Sequence, residues 1–175
     1  MSTIRAWIGL GANLGDAAAA IGRAVAAIAA LPDTQLLRLS SLYRSAPVEA
    51  SGPDFLNAVA EVDTGLSPPA LLTHLLAIET AEGRLRPYRN APRTLDLDLL
   101  LACDAAGSLR IESPSLTLPH PALHRRAFVL APLAEIAPAL VVPGLGDVVT
   151  LRDACADQRI ERIGPIAVPA SAANR

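Results

Sequence analysis

Asp96 and Asp98 stand one residue apart in RTLDLDLL, and Arg84, Arg86, Arg89 and Arg93 precede them with no acid in between. A strand advances roughly 3.3 Å per residue and turns its side chains to opposite faces at each step. The two carboxylates therefore share one face, about 7 Å apart along the backbone, while Leu95, Leu97, Leu99 and Leu101 point the other way into a core. Like charges held that close are costly unless compensated, and a divalent metal shared with a polyphosphate compensates them. These residues lead to the expectation of a Mg-dependent nucleotide site.

The chain contains no lysine, so every fixed side-chain cation is an arginine. That excludes Schiff-base and pyridoxal chemistry, the P-loop lysine and the kinase ATP lysine. Arginine suits phosphate because its planar fork donates two hydrogen bonds to one group. A net charge of −2 argues against a general nucleic-acid or anionic-membrane binder. Cys103 and Cys155 are two cysteines in no metal or disulfide spacing, and buried reduced thiols are expected. No run of roughly 18 residues lacks a polar interruption, and no leader pattern begins the chain, so a cytoplasmic protein is expected.

The elements that must position these groups follow from periodicity. Thr3 to Leu10 alternates as a strand, with Ile4, Ala6, Ile8 and Leu10 on one side and Trp7 on the other. In GLGANLGD, Gly9, Gly11 and Gly15 fall one residue off the dinucleotide fingerprint, and a turn leading into a helix is the preferred reading. Asp16 caps that helix, and Leu31 with Pro32 closes it. Thr34 to Tyr43 is a second strand, SAPVEASGPDF a loop, and Phe55 to Thr64 a third strand carrying Asn57. Ser67, Pro68 and Pro69 start a second helix that Gly83 ends; its last turn holds Glu79 and Glu82, attributed to the arginines that follow. The Asp strand comes next, then a hairpin near Leu109 to Ile111, then an apolar helix from about Ala127 to Ile136. His120 and His124 have a zinc-like spacing, but Pro121 intervenes and phosphate contact is preferred. The βαββαβ order predicts an α+β, ferredoxin-like sandwich, a central antiparallel sheet flanked by helices. One domain is expected over 1–163, with 164–175 a flexible C-terminal tail.

PRTLDLDLL, with GRLR before it and LTLPHPALHRRAFVLAPLAEIAP after it, closely resembles the 6-hydroxymethyl-7,8-dihydropterin pyrophosphokinase family of folate biosynthesis. GLGANLGD, SSLYRSAPV and PDFLNAV extend the resemblance over about residues 4 to 140. It implies transfer of pyrophosphate from ATP, the co-substrate, to the pterin hydroxymethyl group, with release of AMP. Asp96 and Asp98 would bind two Mg2+ ions, and Arg84 and Arg93 would grip the transferring phosphates. Arg86, Glu79, His120 and Arg126 would contact ATP. Phe55 and Phe128 would stack on the pterin, and Asn57 with Ser45, Ala46 and Val48 would read its edge. A monomer acting on small molecules, without nucleic acid or membrane, is implied.

The chain departs from the family pattern where a bulky lid residue and glycine give way to Asn90 and Ala91, with Tyr88 as the candidate substitute. Ala46 replaces a proline before Pro47, and Leu76 replaces a glutamine one turn before Glu79. Two other readings share parts of the pattern: a ferredoxin-like small-molecule sensor with structural acids, and a different metal-dependent nucleotidyltransferase.

Overall fold

The computed structural model describes residues 2–47, 52–83 and 94–170. In chain order the elements are β1 (Ile4–Ala12), α1 (Ala17–Ala29), β2 (Thr34–Leu39), β3 (Leu42–Ser45), β4 (Phe55–Thr64), α2 (Pro68–Ala81) and β5 (Asp96–Asp104). Short pairs β6 (Gly107–Ser108), β7 (Ile111–Glu112) and β8 (Thr117–Leu118) lead through a 3-10 turn at Leu123–Arg125 to α3 (Ala127–Ile136). Then come β9 (Val141–Val142), β10 (Gly146–Asp147), α4 (Val148–Asp153) and β11 (Ile160–Gly164).

The main sheet runs β11-β3-β4-β1-β5-β6, with β2 pairing further along β4, and its pairings are antiparallel. Taking β2 and β3 as one interrupted strand, the order β5-β1-β4-β2/β3 is that of the expected ferredoxin-like sandwich. Alternation explains the layers. Ala6, Ile8, Leu10 and Ala12 pack with Ile21, Val25 and Ile28 of α1 and Leu71 and Leu75 of α2, whereas Trp7 turns to the α3 side. Burying each such Leu or Ile contributes about 1.5–3 kcal/mol. Asp16 accepts from Ala19 N at 3.0 Å to start α1, and Ser67 accepts from Ala70 N to start α2. Gly83, at φ +80°, follows α2. Among the described residues no helix is long and apolar enough to cross a membrane.

Tertiary pairing changes three expectations. Leu101 does not share the face of Leu95, Leu97 and Leu99: Trp7 pairs with Leu101 and Ile8 with Leu99, so Leu100 is the extra residue of a bulge, and both Leu100 and Leu101 join the α3 side. Thr34 to Tyr43 is two strands, broken at Ser40 and Ser41. Glu82 holds Arg23 of α1 at 2.8 Å, an ion pair across two helices that sequence proximity does not suggest. At the C-terminal end, Ile160–Gly164 forms β11 against β3, Ile166 packs on the core, and a Cβ at Gly22 would run into the Ala167 carbonyl oxygen.

Candidate functional site

One cross-strand row organises the site. Tyr43 pairs with Asn57, Asn57 with Gly11, and Gly11 with Asp96. The next row on the same face is Val59, Gly9 and Asp98. Strands lie about 4.8 Å apart, so Asn57 and Asp96 are roughly 10 Å from each other, on either side of Gly11. A Cβ at Gly11 would sit 3.4 Å from Asn57 Oδ1, and one at Gly9 3.4 Å from the Leu100 side chain. The glycines thus leave a bare floor between an amide and two acids. Neither lies in the strand-to-helix turn a dinucleotide fingerprint requires; Gly15, at φ +59°, sits in that turn.

The acid end is braced from behind. Asp96 and Asp98 are half-buried, and between them Leu97 N donates to Glu79 Oε1 at 2.8 Å. Glu79 is only 1 % exposed, so its carboxylate holds the strand from the helix side of the sheet. His120 is drawn to the same strand, its N donating to Leu100 O at 2.8 Å. Its Nδ1 accepts from Ala122 N, which leaves the ring proton on Nε2. Burial first, and the Arg126 charge second, hold its pKa below the usual value of 6.5 against the opposing pull of Asp96. At neutral pH His120 is a neutral Nε2–H donor. An open pocket of about 240 Å³ runs from Asp98 and His120 past Leu72 to the hydroxyl-bearing Ser113, Ser115 and Thr117.

At the amide end Asn57 is 4 % exposed and donates from Nδ2 to Ser45 Oγ at 2.8 Å. This turns Oδ1 toward Gly11, where a ring N–H can reach it. Phe55, half-buried, is the strand partner of Ser45, and Ala46 is exposed just beyond β3. Phe128 lies in the first turn of α3 with the Arg126 guanidinium 5.6 Å from its ring centre, a cation–π contact.

Of the residues expected at the site, the described ones gather at one end of the sheet: Ser45, Phe55, Asn57, Asp96 and Asp98 are carried on three strands and His120, Arg126 and Phe128 on the segment into α3. Glu79 stands behind Leu97. Val48, Arg84, Arg86, Tyr88, Asn90, Ala91 and Arg93 lie outside the described residues. Sequence reasoning missed Gly9 and Gly11 as the floor; their signal was two glycines at period two inside a strand, where glycine marks a close approach.

Residues 7–138 match the family model for 7,8-dihydro-6-hydroxymethylpterin-pyrophosphokinase. The 2-amino-4-hydroxy-6-hydroxymethyldihydropteridine pyrophosphokinase of Pseudomonas aeruginosa is 43 % identical over 91 % of this chain and 96 % of its own length. The Haemophilus influenzae protein of that name is 41 % identical over 93 % and 99 %. Among solved structures, a Plasmodium falciparum HPPK-DHPS aligns over 90 % of this chain with a TM-score of 0.70 at 13 % identity, a likeness of fold. This chain spans about half of that one, 46 %.

Proposed function

Because the chain belongs to the 7,8-dihydro-6-hydroxymethylpterin-pyrophosphokinase family, we propose that it transfers pyrophosphate from ATP to 6-hydroxymethyl-7,8-dihydropterin in folate biosynthesis. The hydroxymethyl oxygen attacks the β-phosphorus, the bridge to the α-phosphate breaks, and AMP leaves. The observation that carries this reading beyond family membership is the row Asn57, Gly11, Asp96: an amide, a bare floor and an acid spaced for a flat ring with a reactive arm.

In this reading the pterin lies over Gly11 with its amide-like edge on Asn57, between Phe55 and Phe128. Ser45 orients Asn57, and Ala46 and Val48 border the ring. Asp96 and Asp98 would hold two Mg2+ ions; two carboxylates on an open face suit a hard cation that completes its shell with water and phosphate oxygens. When bound, the metal neutralises charge on the triphosphate. His120 donates from Nε2 to a phosphate oxygen, Arg126 adds its charge, and Arg84, Arg86 and Arg93 supply the remaining cations. Glu79 acts on the nucleotide site through the strand it braces. In this reading the enzyme works as a monomer in the cytoplasm.

AMP release tests this directly. With ATP and Mg2+, AMP should form only when 6-hydroxymethyl-7,8-dihydropterin is added. ATP breakdown that ignores the pterin, or pterin-dependent release that persists in EDTA, would overturn it.

A further inference from the structure

We infer that Glu135, remote from the reacting groups, is a positioning residue for pterin recognition: its carboxylate sets where strand β3 begins and so holds Ser45 against Asn57. The inference rests on the pterin reading of Asn57.

Strands β2 and β3 pair with the same neighbour. Leu39 faces Ala60 and Tyr43 faces Asn57, four steps along one chain against three along the other. One residue at Ser40–Ser41 is therefore extra. Ser40 stays in the ladder twice over: its N donates to Val59 O at 3.0 Å and its Oγ accepts from Val59 N at 2.9 Å. Ser41 N is turned out of that ladder, in a residue only 6 % exposed. A buried N–H without a partner costs about 1–3 kcal/mol.

Glu135, in the last turn of α3, supplies the partner. Ser41 N donates to its two oxygens at 3.2 and 3.1 Å, Ser41 Oγ to Oε1 at 2.8 Å, and Tyr43 Oη to Oε2 at 2.7 Å. Arg162 of β11 closes the network, donating to Ser41 Oγ at 3.0 Å and Glu135 Oε1 at 3.4 Å. Burial pushes the Glu135 carboxyl up, but hydrogen bonds from Tyr43 and Ser41 outweigh it and hold it below its usual value. Tyr43, raised to about 12 by burial and by Glu135, stays a donor.

The consequence is phase. Losing the bulge slips β3 by one residue against β4 and turns its every side chain to the other face. Tyr43 and Ser45 both face the α3 side only while one residue before them is held out of the ladder, as Ser41 is by Glu135, and Ser45 is the acceptor that fixes the Asn57 amide at 2.8 Å. Asp96 and Asp98 stand two strands further on, with β1 between. Loss of the Glu135 network should therefore weaken pterin binding and spare ATP.

The test compares Glu135→Gln, Tyr43→Phe and, as reference, Asn57→Ala, each by KM for pterin and for ATP and by the Asn57 side-chain amide resonances. The expected result is a pterin KM raised about tenfold in Glu135→Gln and about threefold in Tyr43→Phe. The ATP KM and kcat should stay within about twofold of wild type, with shifted Asn57 resonances. Pterin and ATP KM rising together, or neither moving, overturns the inference. If Glu135→Gln fails to fold, Tyr43→Phe, which removes a single hydrogen bond, decides by the same criteria. An unchanged pterin KM in Asn57→Ala overturns the site reading itself, and the inference with it.

Discussion

On the side of the sheet under α1 and α2, Ala6, Ile8, Leu10 and Ala12 meet Ala58, Ala60, Val62, Leu95, Leu97 and Leu99 in one unbroken apolar layer. On the other side the same strands carry Trp7, Val59, Leu100 and Leu101 beneath α3, and then, across Gly9 and Gly11, change to Asn57, Asp96 and Asp98. The difference shows how two acids can stand one residue apart on a mostly buried strand. Their neighbours Leu95, Leu97 and Leu99 anchor it on the dry face, so the opposite face is free to carry charge.

The sharpest way to break this division is to exchange what each face is held to do. Asp96→Ala or Asp98→Ala should lower kcat about 10³-fold while leaving the thermal midpoint within a few degrees, followed by AMP release and calorimetry. Leu75→Ala, fully buried on the dry face, should cost about 2–5 kcal/mol in urea unfolding and leave both KM values unchanged in the folded protein. Gly22→Ala, also on the dry face, forces the chain at Ala167 to shift; a loss of about 1–3 kcal/mol with unaltered turnover is expected. Gly11→Ala sets a methyl 3.4 Å from Asn57 Oδ1, and should raise the pterin KM about threefold with stability little changed.

The smallest effect concerns pH. The fold lowers the His120 pKa below 6.5, so the unfolded chain takes up this proton first as pH falls. The stability held by neutral His120 is complete above pH 6.5 and is lost as pH drops through the folded value. In His120→Gln the unfolding free energy should lose that part of its slope below pH 6.5, measured by urea titration across pH.

Much of the fold could be read from local pattern. Alternation placed Ala6, Ile8 and Leu10 opposite Trp7, and Asp16 and Ser67 announced their helices by the hydrogen bonds their side chains can offer a first turn. Leu101 was misplaced because a bulge is invisible until the neighbouring strand is known. Glu82 was assigned to nearby arginines although its partner, Arg23, lies on the other helix. The strand at Ile160–Gly164 is short and half polar, and becomes a strand only where β3 offers it an edge.

By itself the sequence determined the chemistry available: arginine as the only fixed cation, two carboxylates on one face of a strand, an asparagine near a phenylalanine, and the periods that make sheet and helix. Only the tertiary structure decided the distances among them. Asn57 and Asp96 come together because both pair with Gly11, and Glu135 reaches Ser41 across 94 positions of chain. Pairing partners and bulges are settled by long-range burial and by satisfying buried N–H groups, neither of which a local window of residues contains.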